Sequence, residues 1–254
     1  RDVKDWYEVV FKDELKNFYK YENGWKATTK VFEEIKVKGA PSVFDTIVFT
    51  HLGPVVYEDF VTRAGNKNFA LQWLAHKGSQ EYMTFYKLNR AKNFEDYLDA
   101  LKYYECPAQN FVFACVDGDI ALRQQGSFPI LAKDEGLFYM DASTHEAWDK
   151  FIPFDEIPMN YNPDRNFVSS ANQIVADATY PYFVNGVFEY YRNRVINMEL
   201  RKMHKATLAD FKALQFNNYN LMAAESLPLM LSYLDKSSLD VEGQKLFEAL
   251  NSWN

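Results

Sequence analysis

The stretch Asn110-Phe-Val-Phe-Ala-Cys-Val-Asp-Gly-Asp-Ile-Ala-Leu122 carries the clearest local fold signal in the chain. Apolar runs lie on both sides of Asp117-Gly118, a residue pair that tight hairpin turns favour because it tolerates positive φ angles. The sequence therefore predicts an antiparallel hairpin whose turn is centred on Asp117-Gly118.

Upstream of this hairpin the pattern predicts strands followed by two helices. β-Branched and aromatic residues are concentrated in residues 30–37, 46–50 and 69–73, which is typical of strands. Residues 79–90 and 94–104 have helical character, with Asn93 suited to cap the second helix. In that helix the apolar residues recur at i, i+3, i+4 and i+7, which indicates one buried face: Phe94, Tyr97, Leu98 and Leu101.

The two ends of the chain complete the predicted order of elements. At the start, Asp2 is predicted to cap a helix, with Asp5 in its first turn and an apolar face formed by Trp6, Val9, Val10 and Leu15. Downstream, residues 167–172 are predicted as a strand and residues 190–203 as a helix. Thr207 then opens another helix in a capping box with Asp210. This order predicts an α+β fold without an internal domain boundary in residues 1–254.

Composition limits the classes of partner. The 254 residues are 48% apolar, enough for a packed core, and their net charge of −7 opposes binding to nucleic acid. No apolar run approaches the roughly 20 residues that span a bilayer, so no membrane segment is expected. Two cysteines and four scattered histidines provide neither a disulfide framework nor a zinc motif. The familiar short catalytic motifs are also missing, so motifs alone leave the function open.

A family resemblance appears in two ordered segments, Asp149-Lys-Phe-Ile-Pro-Phe-Asp-Glu-Ile-Pro158 and Asn162-Pro-Asp-Arg-Asn-Phe-Val-Ser-Ser-Ala-Asn172. They resemble consecutive motifs of the penicillin acylase family. The likeness extends upstream through residues 50–55, 88–94, 108–120 and 126–130, in the same order along the chain. Most of the chain therefore resembles an internal part of the β subunit of a penicillin-acylase-type enzyme.

The resemblance implies an N-terminal nucleophile hydrolase with an αββα sandwich of antiparallel sheets. In such enzymes a precursor cleaves itself, and the exposed N-terminal Ser supplies the attacking hydroxyl and, through its α-amine, the general base. An α-amine suits this role because its pKa is about 7.7–8.0. The sequence begins with Arg1, so the nucleophile is expected outside it and residues 1–254 are expected to be inactive alone.

Two residues are predicted to serve the oxyanion. By resemblance, Asn172 donates its side-chain amide to the tetrahedral oxyanion. An arginine at the start of the following helix orients that asparagine and adds positive potential near the nucleophile's amine. Arg194 matches the family pattern best, with Arg192 as the alternative. Without the resemblance, Asn172 would be interpreted as the end of a strand or an Asx turn.

The remaining site predictions concern the acyl pocket and a metal. Phe85 and Gln109 fall near acyl-pocket positions of the family, although packing and strand-end hydrogen bonding explain them almost as well. Asp2 and Asp5 align with an acidic pair that binds calcium in some members, and helix capping explains them equally well. No cofactor is required for the chemistry, so calcium would be structural.

The resemblance further implies a small-molecule N-acyl amide substrate, an α subunit and the rest of the β subunit from the same precursor, and a periplasmic or secreted location. Two alternatives stay open. One is an acyl-homoserine-lactone acylase, which differs in the shape of its acyl pocket. The other is a non-catalytic ligand-binding or structural module, for which Leu52, inserted between His51 and Gly53, and Asn217, at an often acidic position, are departures from the family pattern.

Overall fold

The computed structural model of the chain describes residues 4–56, 67–184, 186 and 188–253. The chain divides into two units, one made of Arg1–Tyr161 and Val175–Val187 and the other of Asn162–Ile174 and Phe188–Asn254. The described part of the first unit is built from strands and two α-helices, whereas that of the second is built from α-helices and an irregular segment. The α+β class predicted from the sequence is confirmed.

Most strands of the first unit form one sheet of six, in the order β10-β1-β7-β6-β5-β4. Its neighbours pair antiparallel except for β1 and β10, which pair in parallel. A three-stranded antiparallel sheet has the order β11-β9-β8, and β2 pairs with β3. The strands are β1 Lys4–Val9, β2 Phe18–Tyr21, β3 Gly24–Ala27, β4 Thr29–Ile35, β5 Val43–Thr50, β6 Gly53–Val56, β7 Asn68–Trp73, β8 Gln109–Ala114, β9 Ile120–Gln125, β10 Met140–Asp141 and β11 Met159–Tyr161.

The predicted N-terminal helix is wrong, because Lys4–Val9 is strand β1. Asp5, Tyr7 and Val9 alternate as buried residues along it, which is the period of two that a strand requires. The predicted helical face of Trp6, Val9, Val10 and Leu15 overlooked this alternation of buried and less buried residues. Asp2, the predicted helix cap, lies outside the described residues.

The predicted hairpin and the two helices before it are confirmed. β8 pairs with β9 in register from Gln109–Gln125 to Ala114–Ile120, and the turn places Gly118 at a φ of 99°. Helix α1 spans Glu81–Leu88 and helix α2 spans Phe94–Leu101, with the side chain of Asn93 accepting the backbone N–H of Asp96 at 2.8 Å. The predicted stripe of α2 packs with Ala121, Phe111 and Phe113 of the hairpin in one apolar cluster.

The second unit contains four described α-helices: α3 Tyr191–Lys202, α4 Leu208–Gln215, α5 Leu221–Ser232 and α6 Val241–Asn251. The predicted capping box at Thr207 and Asp210 is present. The strand predicted at residues 167–172 is wrong, because this segment pairs with no strand among the described residues. Its backbone is bonded by a side chain instead, since Gln173 accepts the N–H of Ala171 and donates to the carbonyl of Ser169.

Two further properties bear on the class of protein. No helix within the described ranges is long and apolar enough to cross a membrane. Cys106 and Cys115 are both free thiols. The fold therefore depends on apolar packing and hydrogen bonds in these ranges, without a disulfide between the two cysteines.

Candidate functional site

Asn172 lies in the irregular segment that precedes helix α3 within the second unit. Its φ is 60°, in the left-handed region, which asparagine tolerates better than most residues because its short polar side chain bonds locally. Asn162 and Asn166 adopt the same region at φ angles of 43° and 56°. The left-handed residues therefore turn the backbone directly before residue 167 and again at residue 172, the two ends of the predicted strand.

A network anchored on α3 holds this segment in place. Arg165 donates from Nε to the carbonyl of Phe167 at 2.9 Å and from Nη1 to Oδ1 of Asn197 at 3.3 Å. Asn197 is 6% exposed, and its Nδ2 donates to the carbonyl of Asn193 at 2.7 Å. Because Asn197 is buried in α3 and bonded on both sides of its amide, it fixes the position of the loop against the helix.

The side chain of Asn172 is held by an arginine of the same helix. Arg192 donates from Nη2 to Oδ1 of Asn172 at 3.0 Å. A guanidinium has donors only, so this bond assigns the carbonyl oxygen of the amide to the arginine and leaves the NH₂ group directed elsewhere. Nδ2 of Asn172 has no acceptor among the residues that the structure describes, and the side chain is exposed. The arrangement presents an oriented hydrogen-bond donor.

Arg192 is itself fixed by Glu189. Oε2 of Glu189 accepts from Nε of Arg192 at 2.9 Å, while Oε1 accepts the backbone N–H of Arg192 at 3.0 Å and that of Tyr191. Burial raises the pKa of the Glu189 carboxyl, but the hydrogen bonds from Arg192 and Tyr191 outweigh it and hold the pKa below its ordinary value. The carboxylate is therefore charged at neutral pH and completes a chain of contacts from Glu189 through Arg192 to Asn172.

The orienting contact predicted for Arg194 is made by Arg192. Arg194 donates from Nη1 to Oε2 of Glu225 in α5 at 2.8 Å and forms an ion pair with it. The hydrogen bond from Arg194 lowers the pKa of Glu225, and the same bond raises the pKa of Arg194. The two arginines are two residues apart on a helix, about 200° around its axis, so they face opposite sides and only one can reach Asn172.

Both predicted acyl-pocket residues lie in the first unit. Phe85 in α1 is 49% exposed, and its ring centroid lies 6.0 Å from that of Tyr104 and 6.5 Å from that of Phe111. Gln109 is two residues before Phe111 in β8, hence on the same face of the strand, and is exposed. Phe85 therefore has two aromatic neighbours, and Gln109 lies on the same face of β8 as one of them, Phe111. Their contact with substrate stays a prediction.

The calcium prediction concerns Asp5 and Asp2. Asp5 lies in β1 opposite Gln72 of β7 and is 2% exposed, whereas Asp2 lies outside the described residues. Calcium takes six to eight oxygens, and in the described ranges no group of three or more His, Cys, Asp or Glu residues is placed to hold a metal. Asp5 alone does not make a calcium shell, so calcium stays a prediction.

Sequence reasoning missed Glu189 and ranked the two arginines in the wrong order for contact with Asn172. The signal for Glu189 was an acidic residue directly before the helix predicted at residues 190–203, where a carboxylate can accept the free N–H groups of the first turn. Choosing between the two arginines requires knowing where the helix begins. Because α3 begins at Tyr191, Arg192 lies in its first turn, beside the segment that precedes the helix.

Comparison with known proteins gives a family and a fold. The model of the family described as penicillin amidase matches residues 1–254. Among solved structures, the thermostable penicillin G acylase from Alcaligenes faecalis is similar with a TM-score of 0.75 and 19% sequence identity. The match covers 99% of this chain and 45% of that chain, so the present sequence spans less than half the length of the acylase chain. The chain belongs to the penicillin amidase family.

Proposed function

We propose that residues 1–254 form part of an N-acyl amide hydrolase of small molecules, in which Asn172 donates to the tetrahedral oxyanion. The observation that carries the proposal is the hydrogen bond from Arg192 to Oδ1 of Asn172. An oxyanion donor must be oriented before the reaction, because a donor that reorganises during the reaction stabilises the transition state less. The guanidinium supplies that orientation and places positive charge beside the donor.

The nucleophile belongs to a segment outside residues 1–254 in this proposal. A precursor would cleave itself and expose a terminal Ser, whose hydroxyl attacks the amide carbonyl while its α-amine accepts the proton. The amine then returns the proton to the leaving nitrogen, and water hydrolyses the resulting ester by the same route. During both steps negative charge develops on the carbonyl oxygen, and Nδ2 of Asn172 donates to it. The positive charge of Arg192 helps to keep the α-amine neutral.

In this proposal Phe85 and Gln109 contact the acyl group, as the family resemblance implies. Phe85 and its aromatic neighbours offer an apolar surface, which suits a phenylacetyl-like or aliphatic acyl chain. Gln109 adds a polar group on the same face of β8 and favours acyl chains with a hydrogen-bonding function. A β-lactam side-chain acylase and an acyl-homoserine-lactone acylase both fit this description, and the size of the acyl group that is accepted distinguishes them.

The proposal includes a processed, multi-subunit protein in the periplasm or outside the cell, as the family resemblance implies. The experiment is expression of the complete gene, followed by mass spectrometry of the subunits and assay of the processed protein. The substrates are phenylacetyl, aliphatic and polar N-acyl amides together with acyl-homoserine lactones. We expect one internal cleavage that exposes Ser and turnover of at least one acyl class. A protein that neither cleaves nor turns over any substrate would be the non-catalytic module.

A further inference from the structure

Glu189 makes two kinds of contact at once. Its Oε1 accepts backbone N–H groups at the start of α3, and its Oε2 accepts Nε of Arg192 at 2.9 Å. The first contact caps the helix, because the first N–H groups of a helix have no partner within it. The second contact holds the side chain of Arg192. One carboxylate thus ties the guanidinium of Arg192 to the end of the helix from which that side chain projects.

We infer that Glu189 is a positioning residue of the oxyanion site, acting through Arg192 on Asn172. The inference rests on the proposed function for its catalytic consequence. Glu189 itself touches neither Asn172 nor any reacting atom that the proposal names. Its contribution is to set where the guanidinium plane lies and hence which way the amide of Asn172 turns.

The geometry explains why a second contact on Arg192 is needed. The side chain of Arg192 is 60% exposed, so little packing restricts its rotatable bonds. A single bond from Nη2 to Asn172 leaves the guanidinium free to rotate about that bond. The bond from Nε to Glu189 removes this freedom, because Nε and Nη2 are rigidly joined in one plane. Two contacts therefore define the orientation that one contact leaves open.

A contribution to folding stability does not by itself explain the ion pair between Glu189 and Arg192. Glu189 is 39% exposed, and ion pairs between exposed side chains contribute little to folding because water and salt screen them. Helix α3 carries an ion pair of identical spacing, Glu199 with Lys202 at 2.7 Å. Within residues 162–174, all of which the structure describes, no side chain is bonded to that lysine. The two ion pairs match in spacing and differ in two ways: Glu189 also accepts backbone N–H groups at the start of α3, and Arg192 is bonded to Asn172.

This resemblance supplies a matched control. Glu189→Gln leaves one oxygen, which is expected to stay with the two backbone N–H groups because an NH₂ group turned towards them would face two donors. The NH₂ group then lies at Nε of Arg192 and cannot accept from a guanidinium. Glu199→Gln makes the same chemical change at the other end of α3. Both variants are made in the complete protein, and kcat, KM and melting temperature are measured for each.

We expect Glu189→Gln to lower kcat by roughly tenfold to a hundredfold, the scale of a misplaced catalytic group, with KM within about twofold of the parent. Glu199→Gln should keep the parental kcat, and the two variants should melt within about 2 °C of each other. Against Arg192→Ala as background, Glu189→Gln should have no further effect, because its action requires the guanidinium. Unchanged kcat in Glu189→Gln, equal losses in both glutamine variants, or additive losses in the double variant would overturn the inference.

A crystal structure of Glu189→Gln tests the positioning without turnover. The guanidinium should no longer be bonded to Oδ1 of Asn172, and in Glu199→Gln it should be. An Arg192–Asn172 bond retained in Glu189→Gln would overturn the inference even if the protein hydrolyses amides. Conversely, full activity of Asn172→Ala would overturn the proposed function, while the structural result would still decide whether Glu189 positions Arg192.

Discussion

Nη2 of Arg192 lies 3.0 Å from Oδ1 of Asn172, and this bond decides which end of the asparagine amide is presented as a donor. The amide could otherwise turn by 180° and present its oxygen, which would repel an oxyanion. Arg192 comes from the first turn of α3 and Asn172 from the irregular segment, so the contact joins two elements that are 20 residues apart.

Replacing Asn172 tests the oxyanion assignment. In the complete protein, Asn172→Ala should lower kcat by a factor of about 10²–10³ with a small change in KM, because the donor acts mainly in the transition state. Asn172→Asp should be at least as impaired, since a carboxylate repels the oxyanion. Steady-state kinetics on one N-acyl amide measures both. Activity close to that of the parent in Asn172→Ala would exclude this donor.

The two arginines of α3 should separate into different roles. Arg192→Lys is expected to lower kcat by about tenfold or more, because an ammonium cannot bond Glu189 and Asn172 with the fixed geometry of a guanidinium. Arg194→Lys should leave kcat near the parental value, since its partner is Glu225. The two variants carry the same substitution on the same helix, so each controls for the other. A larger loss of kcat at Arg194 would restore the original prediction.

The Arg194–Glu225 pair should make stability depend on pH in one direction. The hydrogen bond from Arg194 holds the pKa of Glu225 below its ordinary value of 4.5. The pair therefore stabilises the fold above that value, and its contribution is lost as the pH falls through the lower folded-state pKa. Melting curves of the parent and Glu225→Gln should differ slightly at pH 7, since the pair is exposed, and the difference should shrink as the pH falls below 4.5. A difference that grows toward acid would contradict the assignment.

Gly53 should tolerate no side chain. It opens β6 at a φ of 137°, and a Cβ there would lie 2.2 Å from the carbonyl oxygen of Leu71, which belongs to backbone and cannot move aside. Gly53→Ala should destabilise the protein by roughly 2–4 kcal/mol. Gly39→Ala isolates the effect of positive φ, since its φ is 78° with open space around it, and Gly78→Ala adds a methyl group in open space. Chemical denaturation should find the largest loss of folding free energy in Gly53→Ala, a smaller loss in Gly39→Ala and the smallest in Gly78→Ala.

Calcium can be tested directly at Asp5. If the predicted ion binds, the purified protein should retain calcium after desalting, and a chelator should lower its melting temperature. Asp5→Asn should then abolish the retained calcium and make the melting temperature insensitive to the chelator. Elemental analysis that finds no calcium, together with an unchanged melting temperature in chelator, would reject the prediction and leave Asp5 as a buried carboxylate of β1.

Local signals in the sequence were sufficient for several elements. The turn at Asp117-Gly118, the Asn93 cap and the capping box at Thr207 each depend on residues within a few positions of one another, and all three are confirmed. Two local predictions failed for different reasons. In β1 an apparent helical stripe concealed alternating burial. At residues 167–172 an extended pattern pairs with no strand in the described part of the chain, and no local pattern can supply such a partner.

The sequence by itself determined the class of fold, the family and the identity of the candidate donor Asn172, because ordered motifs and short-range turn and cap chemistry are properties of the chain. The tertiary structure decided which arginine serves that donor and that Glu189 holds the arginine. The physical reason is angular: residues 192 and 194 are close in sequence but face opposite sides of α3. Which side meets Asn172 depends on the path of the loop that Arg165, Asn197 and the left-handed asparagines direct.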